Sequence, residues 1–114
     1  PTVLVDVRPD MAVARDEVFG PVIVVLPYDT LDEAFAILNS VEYGLTSSLF
    51  SDRNDVVQRF LDESESGMIH VNHGTIPDNH MPFGGVKHSG VGAYSVGASA
   101  VNFYTTEHAL YIKA

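Results

Sequence analysis

"PVIVVLP", residues 21–27, is a continuous, largely β-branched run closed at each end by a proline. β-branched side chains suit a pleated strand, and a short apolar run without polar alternation predicts a strand buried on both faces, as in parallel sheets. The next residues support a strand that leads into a helix. Thr30-Leu31-Asp32-Glu33 has the spacing of a capping box, in which the Thr hydroxyl and the Glu carboxylate each satisfy a backbone N–H at a helix start. Leu31, Ala34, Phe35 and Leu38 then recur at helical spacing, and Gly44 is expected to stop the element.

The same alternation repeats downstream. Leu45 to Phe50 predicts a second strand, Ser51, Asp52 and Asn54 offer N-caps, and Val56, Val57, Phe60 and Leu61 mark the buried side of a second helix. Gly67 is expected as its C′ residue, and Met68-Ile69-His70-Val71-Asn72 as a third strand. The order is βαβαβ. Short loops and right-handed crossovers turn that order into an α/β fold, a parallel three-layer unit. Upstream, Thr2 to Val7 also reads as a strand, set apart by a polar connection through Arg15, Asp16 and Glu17. Past Asn72 about twenty residues read as loop, then a weak helix is expected near Tyr94 to Val101. The tail, Phe103 to Thr106 and Ala109 to Lys113, is β-prone but has no evident partner in the chain.

Composition narrows the function classes. The 114 residues suffice for one domain or a piece of one, and 46% hydrophobic with 18% charged residues is a globular composition. The net charge of −9, with only six scattered Lys and Arg, leaves no basic footprint for nucleic acid or an anionic membrane. No apolar run approaches the roughly 20 residues of a membrane span, and no signal-peptide pattern opens the chain, so a cytoplasmic protein is expected. There is no cysteine, which removes disulfides, thiolate metal sites and cysteine nucleophiles together. The chain begins at Pro1 rather than methionine, as an excised piece of a longer protein would.

Individual motifs give little chemistry on their own. Gly84-Gly85-Val86-Lys87-His88-Ser89-Gly90 fails as a phosphate loop, because Lys87 precedes His88 where Ser or Thr is needed. A dinucleotide fingerprint starting at Gly90 would need Gly or Ala at position 95, which is Ser95, and a strand immediately before it. A metal site drawn from His70, His73, Asp78, His80 and His88 lacks a ligand pair at structural-zinc spacing. His70 and His73 face opposite sides of a strand unless it ends between them. No Gly-x-Ser-x-Gly elbow occurs, and Asp62, Glu63 and Glu65 read as a solvated helix end. Asp16-Glu17-Val18-Phe19-Gly20-Pro21 places a carboxylate and an aromatic ring just before a strand; a loop acid and a core Phe would read the same.

Taken together, Glu17-Val18-Phe19-Gly20-Pro21, Asn39 with Tyr43-Gly44-Leu45, Gly67 with Val71-Asn72, and Pro82-Phe83-Gly84-Gly85 with Lys87, Ser89 and Gly90 form an ordered series. In order and spacing it resembles the aldehyde dehydrogenase superfamily, over its C-terminal quarter. The resemblance implies an NAD(P)-dependent oxidoreductase that oxidises an aldehyde to a carboxylate. It implies that Glu17 holds the nicotinamide ribose hydroxyls and Phe19 packs by the nicotinamide. It also implies that His73, Ile76, Pro77 and Phe83 line the substrate tunnel. Residues 1–100 would be the C-terminal portion of a catalytic domain and residues 101–114 an oligomerisation strand pairing across subunits of a homo-oligomer. The catalytic Cys, the Glu base and the Gly-rich cofactor loop of the family have no counterpart here, so the isolated chain is expected to be inactive. Many members have Arg-Glu where this chain has Ala93-Tyr94, so that acid is missing too. Two further readings stay open: a non-catalytic binding or assembly module that retains the fold, and a free-standing nucleotide-binding α/β domain.

Overall fold

The computed structural model describes residues 1–114, which form two compact units: residues 1–42 with 51–65, and residues 43–50 with 66–114. The architecture is mixed α/β with parallel strands.

In the first unit, strand β1 (Thr2–Leu4) lies parallel to β2 (Val22–Val24), with Thr2 opposite Val22, Val3 opposite Ile23 and Leu4 opposite Val24. The ladder continues beyond both strands. Thr2 N–H donates to Pro21 O and Val25 N–H to Leu4 O, each at 2.8 Å. Thus the upstream segment that reads as separate in the sequence is the direct neighbour of the "PVIVVLP" strand, and the polar connection between them carries the short helix α1 (Ala12–Arg15). The expectation of two buried faces is corrected: Ile23 is 64% exposed and its neighbour Val3 59%, because nothing in this chain covers that face of the pair.

Helix α2 (Leu31–Asn39) opens as expected. Thr30 Oγ1 accepts from Glu33 N–H (3.2 Å), while the Glu33 carboxylate reaches Asp29 N–H (2.8 Å), one residue earlier than the motif's usual donor. Gly44 does not end this helix. It stops at Asn39, where the Asn39 amide donates to Glu63 O (2.7 Å) and accepts from Glu65 N–H (3.0 Å), tying it to the end of helix α3 (Asn54–Glu63). The N-cap residue of α3 is Arg53, with no side-chain cap; Ser51 Oγ instead accepts from Arg53 N–H at 3.1 Å. Val7, Phe35, Val56 and Phe60 are the buried apolar side chains, Phe60 at only 2% exposure. Arg59 lies over Phe35, its guanidinium 4.5 Å from the ring centroid and bonded to Asp32 (2.6 Å) and Glu63 (2.8 Å).

The second unit holds two strand pairs. Strand β4 (Thr46–Leu49) is parallel to β5 (Met68–Val71), from Thr46 opposite Met68 to Leu49 opposite Val71. A two-residue β3 (Tyr43–Gly44) pairs antiparallel with β6 (Val86–Lys87), inside the stretch that local sequence signals mark as loop. Gly67 is not a helix C′ residue, since α3 ends at Glu63 with Ser64 as its C-cap. A Cβ at Gly67 would collide with the carbonyl of Gly84 and lie 2.7 Å from Gly85 Cα, so the glycine permits a backbone crossing. A 3-10 turn at Gly97–Ser99 leads into helix α4 (Ala100–Tyr104), a little later than the expected Tyr94 to Val101. Phe103 and Tyr104 therefore finish a helix, and residues 105–114 make no ladder within the chain. A strand exists only through its partner's hydrogen bonds, and this segment has none in its own chain.

Candidate functional site

The second unit contains an open cleft of about 770 Å³, and two backbone devices shape its walls. The first lies at the end of β5. The ladder closes with Asn72 N–H donating to Leu49 O (2.7 Å), and Asn72 then adopts a left-handed conformation, φ 52°. Asn tolerates that region better than most residues. The turn undoes the strand alternation, so His73 comes back over His70: the two imidazoles stack with centroids 5.6 Å apart and planes 13° from parallel.

The second device is the Pro82-Phe83-Gly84-Gly85 segment. A Cβ on Gly84 would lie 2.6 Å from Tyr94 Cε1, and one on Gly85 2.6 Å from Ser89 Cβ, so side-chain-free backbone is what lets this loop lie against its neighbours. Ser95 N–H donates to Phe83 O (3.2 Å), and Ser89 Oγ accepts from Gly44 N–H (3.2 Å). Phe83, held in this way, lines the cavity together with His73, Ile76 and Pro77. The four residues to which the family resemblance gives a substrate role are thus brought together.

The polar lining is richer than those four. His70 Nδ1 lies 3.2 Å from Thr46 Oγ1 and 3.3 Å from the Ser47 carbonyl, and His73 Nδ1 bonds the Gly74 carbonyl. Ser48 Oγ donates to the His73 carbonyl (2.5 Å), which fixes the turn. Asp78 accepts from both the backbone N–H (2.8 Å) and the ring Nδ1 (2.9 Å) of His80, and these bonds hold its carboxyl below the ordinary Asp range. A depressed carboxyl contributes stability above its unfolded-state value and loses it as pH falls through the lowered one, so the Asp78–His80 loop bond persists at neutral pH. In the fold no three His, Asp or Glu side chains are grouped to hold a metal ion, and His70, Asp78 and His80 line the cleft instead. Tyr94 also lines it, a role its place after Gly92-Ala93 does not disclose.

The first unit has a separate hollow of about 340 Å³, lined by Val13, Asp16, Glu17, Val18 and Phe19 with neighbouring strand residues. Phe19 has φ 53° and is 90% exposed, so it is not the core aromatic that the simplest reading allows. A left-handed φ at an aromatic residue carries strain, of order 1–3 kcal/mol. Glu17 stands exposed beside it, with no hydrogen bond or ion pair.

A family model described as "Aldehyde dehydrogenase family" matches residues 1–110. The chain belongs to the aldehyde dehydrogenase family. Over 113 residues it is 42% identical to the α-ketoglutarate semialdehyde dehydrogenase of Haloferax volcanii, a match covering 97% of this chain and 23% of the relative. It is 47% identical over 92 residues to the succinate-semialdehyde dehydrogenase [NADP(+)] of Deinococcus radiodurans, covering 81% of this chain and 19% of that one. The crystal structure of the Mycobacterium tuberculosis aldehyde dehydrogenase complexed with NAD+ superposes with a TM-score of 0.83 at 35% identity, over 91% of this chain and 21% of that chain. The chain therefore spans about a fifth to a quarter of the length of these aldehyde dehydrogenases. No helix is long and apolar enough to cross a membrane.

Proposed function

We propose that this chain is the C-terminal part of an NAD(P)-dependent aldehyde dehydrogenase that oxidises an aldehyde to a carboxylate. One observation carries the reading: His73, Ile76, Pro77 and Phe83, spread over eleven residues, line a single cleft large enough for a small organic substrate. In this reading the cleft is one wall of the substrate site. Phe83 and Ile76 give it an apolar surface, and His73 gives a polar point that fixes orientation.

The residues of the first unit suit the nicotinamide half of the cofactor. An unpaired carboxylate at Glu17 is an acceptor for ribose hydroxyls, and the exposed Phe19 ring offers a flat apolar face to the nicotinamide. The cofactor, when bound, supplies the hydride acceptor; Glu17 and Phe19 would hold it in position. The strained backbone at Phe19 fits a residue placed for a ligand rather than for packing. The catalytic thiol has to come from outside these residues, because the chain has no cysteine. Residues 105–114, unpaired here, are assigned to strand pairing across subunits of a homo-oligomer.

The test is turnover by the full-length protein containing this chain, measured as reduction of NAD or NADP with a panel of aldehydes. Reduction with at least one aldehyde is expected, and Glu17→Gln should raise KM for the nucleotide by roughly tenfold, about the worth of a hydrogen bond to a charged acceptor. A full-length protein that reduces neither nucleotide with any aldehyde would refute the reading. So would nucleotide reduction by residues 1–114 alone.

A further inference from the structure

We infer that Tyr94 is a positioning residue: its ring braces the Pro-Phe-Gly-Gly backbone and so sets where Phe83 stands in the cleft. The inference rests on the proposed aldehyde dehydrogenase function and deepens it, assigning a role to a side chain that acts through Phe83 rather than on the aldehyde.

Two stretches of the second unit run past each other in opposite directions. Tyr94 lies on Gly84, Ser95 N–H donates to Phe83 O (3.2 Å), and Gly97 sits against His80 and Met81. At Gly97 a Cβ would lie 2.6 Å from the His80 carbonyl oxygen and 2.9 Å from the Met81 carbonyl carbon. Gly92 and Gly97, with φ of 78° and 66°, bound the bracing stretch in a backbone conformation that glycine adopts without steric cost. Of the three contacts, only the one at Tyr94 is made by a side chain.

That side chain meets bare backbone. The three atoms nearest a Cβ on Gly84 would all be Tyr94 ring carbons, with Cε1 at 2.6 Å and Cγ at 2.7 Å, so the ring occupies the space a side chain there would need. Elsewhere on the same glycine, a Cβ on Gly67 would collide with the Gly84 carbonyl and lie 2.7 Å from Gly85 Cα. Gly84 is therefore held between the backbone at the entrance of β5 and the Tyr94 ring, one residue from Phe83. The Tyr94 hydroxyl makes no hydrogen bond within the chain, so the brace is the ring itself. Without it, Phe83 keeps only the single backbone bond from Ser95 on this side. A shift of about 1 Å in a group that positions substrate can cost up to about a hundredfold in rate.

A double-mutant cycle in the full-length enzyme separates positioning from direct contact. kcat/KM is measured with propanal, hexanal and benzaldehyde for the wild type, Tyr94→Ala, Phe83→Ala and the double variant. Tyr94→Ala should lower kcat/KM for at least one aldehyde by roughly tenfold, but by less than about twofold once residue 83 is alanine, because the ring acts through that side chain. Tyr94→Phe, which keeps the ring, should retain most of what Tyr94→Ala loses. KM for the nucleotide should not move, since its proposed contacts, Glu17 and Phe19, belong to the other unit. Equal losses in both backgrounds would overturn the inference, because Tyr94 would then act on the substrate itself or on the fold at large. A loss that Tyr94→Phe shares would overturn it too. If Tyr94→Ala does not fold, Tyr94→Leu takes its place in the cycle. Hydrogen exchange over residues 83–85 gives a readout that needs no turnover: it should quicken when the ring is removed, stay slow in Tyr94→Phe, and leave strands β4 and β5 unchanged. Exchange there that ignores loss of the ring would overturn the inference. Absence of turnover on every aldehyde would instead overturn the underlying functional reading, and the exchange result would still decide whether the ring braces Phe83.

Discussion

At the scale of single residues, Gly67 shows how a glycine can be misjudged from its place in the sequence. Its position after a helical pattern suggests a C-cap, but the helix closes at Glu63, and the reason for a missing side chain is the backbone of Gly84 and Gly85. Gly67→Ala should therefore cost about 1–3 kcal/mol by overpacking. Gly74→Ala, where an added Cβ meets nothing within 4 Å, should change stability by no more than about 1 kcal/mol. Denaturant midpoints of the two variants of the full-length protein check the contrast; equal midpoints would remove the crossing as an explanation. The sequence could not reveal this use of Gly67, because the partner backbone at Gly84 is distant along the chain. The same holds for the stacking of His73 on His70, which depends on the left-handed turn at Asn72. That Phe83 lines the cleft, by contrast, agrees with the position that the family resemblance gives it through the Pro-Phe-Gly-Gly motif.

Secondary-structure elements were legible where local chemistry decides them. The Thr30 cap and the apolar spacing of Leu31, Phe35, Val56 and Phe60 are local signals, and α2 and α3 form there. Thr30→Ala should destabilise by about 1 kcal/mol, because the Glu33 N–H loses its acceptor, and Thr30→Ser should restore most of it. Thermal unfolding of the pair measures this; a loss that Ser does not recover would locate the effect in the Thr methyl group instead. Elements defined by long-range partners were harder to read. Strand β6 is two residues long and exists only because Tyr43 and Gly44 lie opposite it. Phe103 and Tyr104 have strand propensity, yet with no ladder to join they complete helix α4, tertiary context overriding preference.

For the whole molecule, burial is the informative quantity. All four buried apolar side chains, Val7, Phe35, Val56 and Phe60, belong to the first unit, and the second buries none. The chain's accessible surface is 8726 Å², against about 6,100 Å² expected for a compact monomer of its mass. Val3, Ile23, Leu110, Tyr111 and Ile112 are among the apolar side chains left in solvent. Produced alone, residues 1–114 should self-associate, seen as a scattering mass above that of one chain and rising with concentration. A strictly monomeric species at high concentration would contradict that expectation. Such incomplete burial accords with a span of about a fifth to a quarter of related aldehyde dehydrogenases.

The glycine crossing at Gly67 and Gly84 has a bearing on engineering. It anchors the entrance of β5 to the Pro-Phe-Gly-Gly segment, while Asn72 bonded to Leu49 anchors the strand's exit. Between those fixed ends, residues 73–81 are all exposed. Exchanging the side chains of 74–79 as a cassette, with His73 kept on Ser48 and the backbone of His80 and Met81 kept against Gly97, would vary the lining of the cleft without redesigning the sheet beneath it.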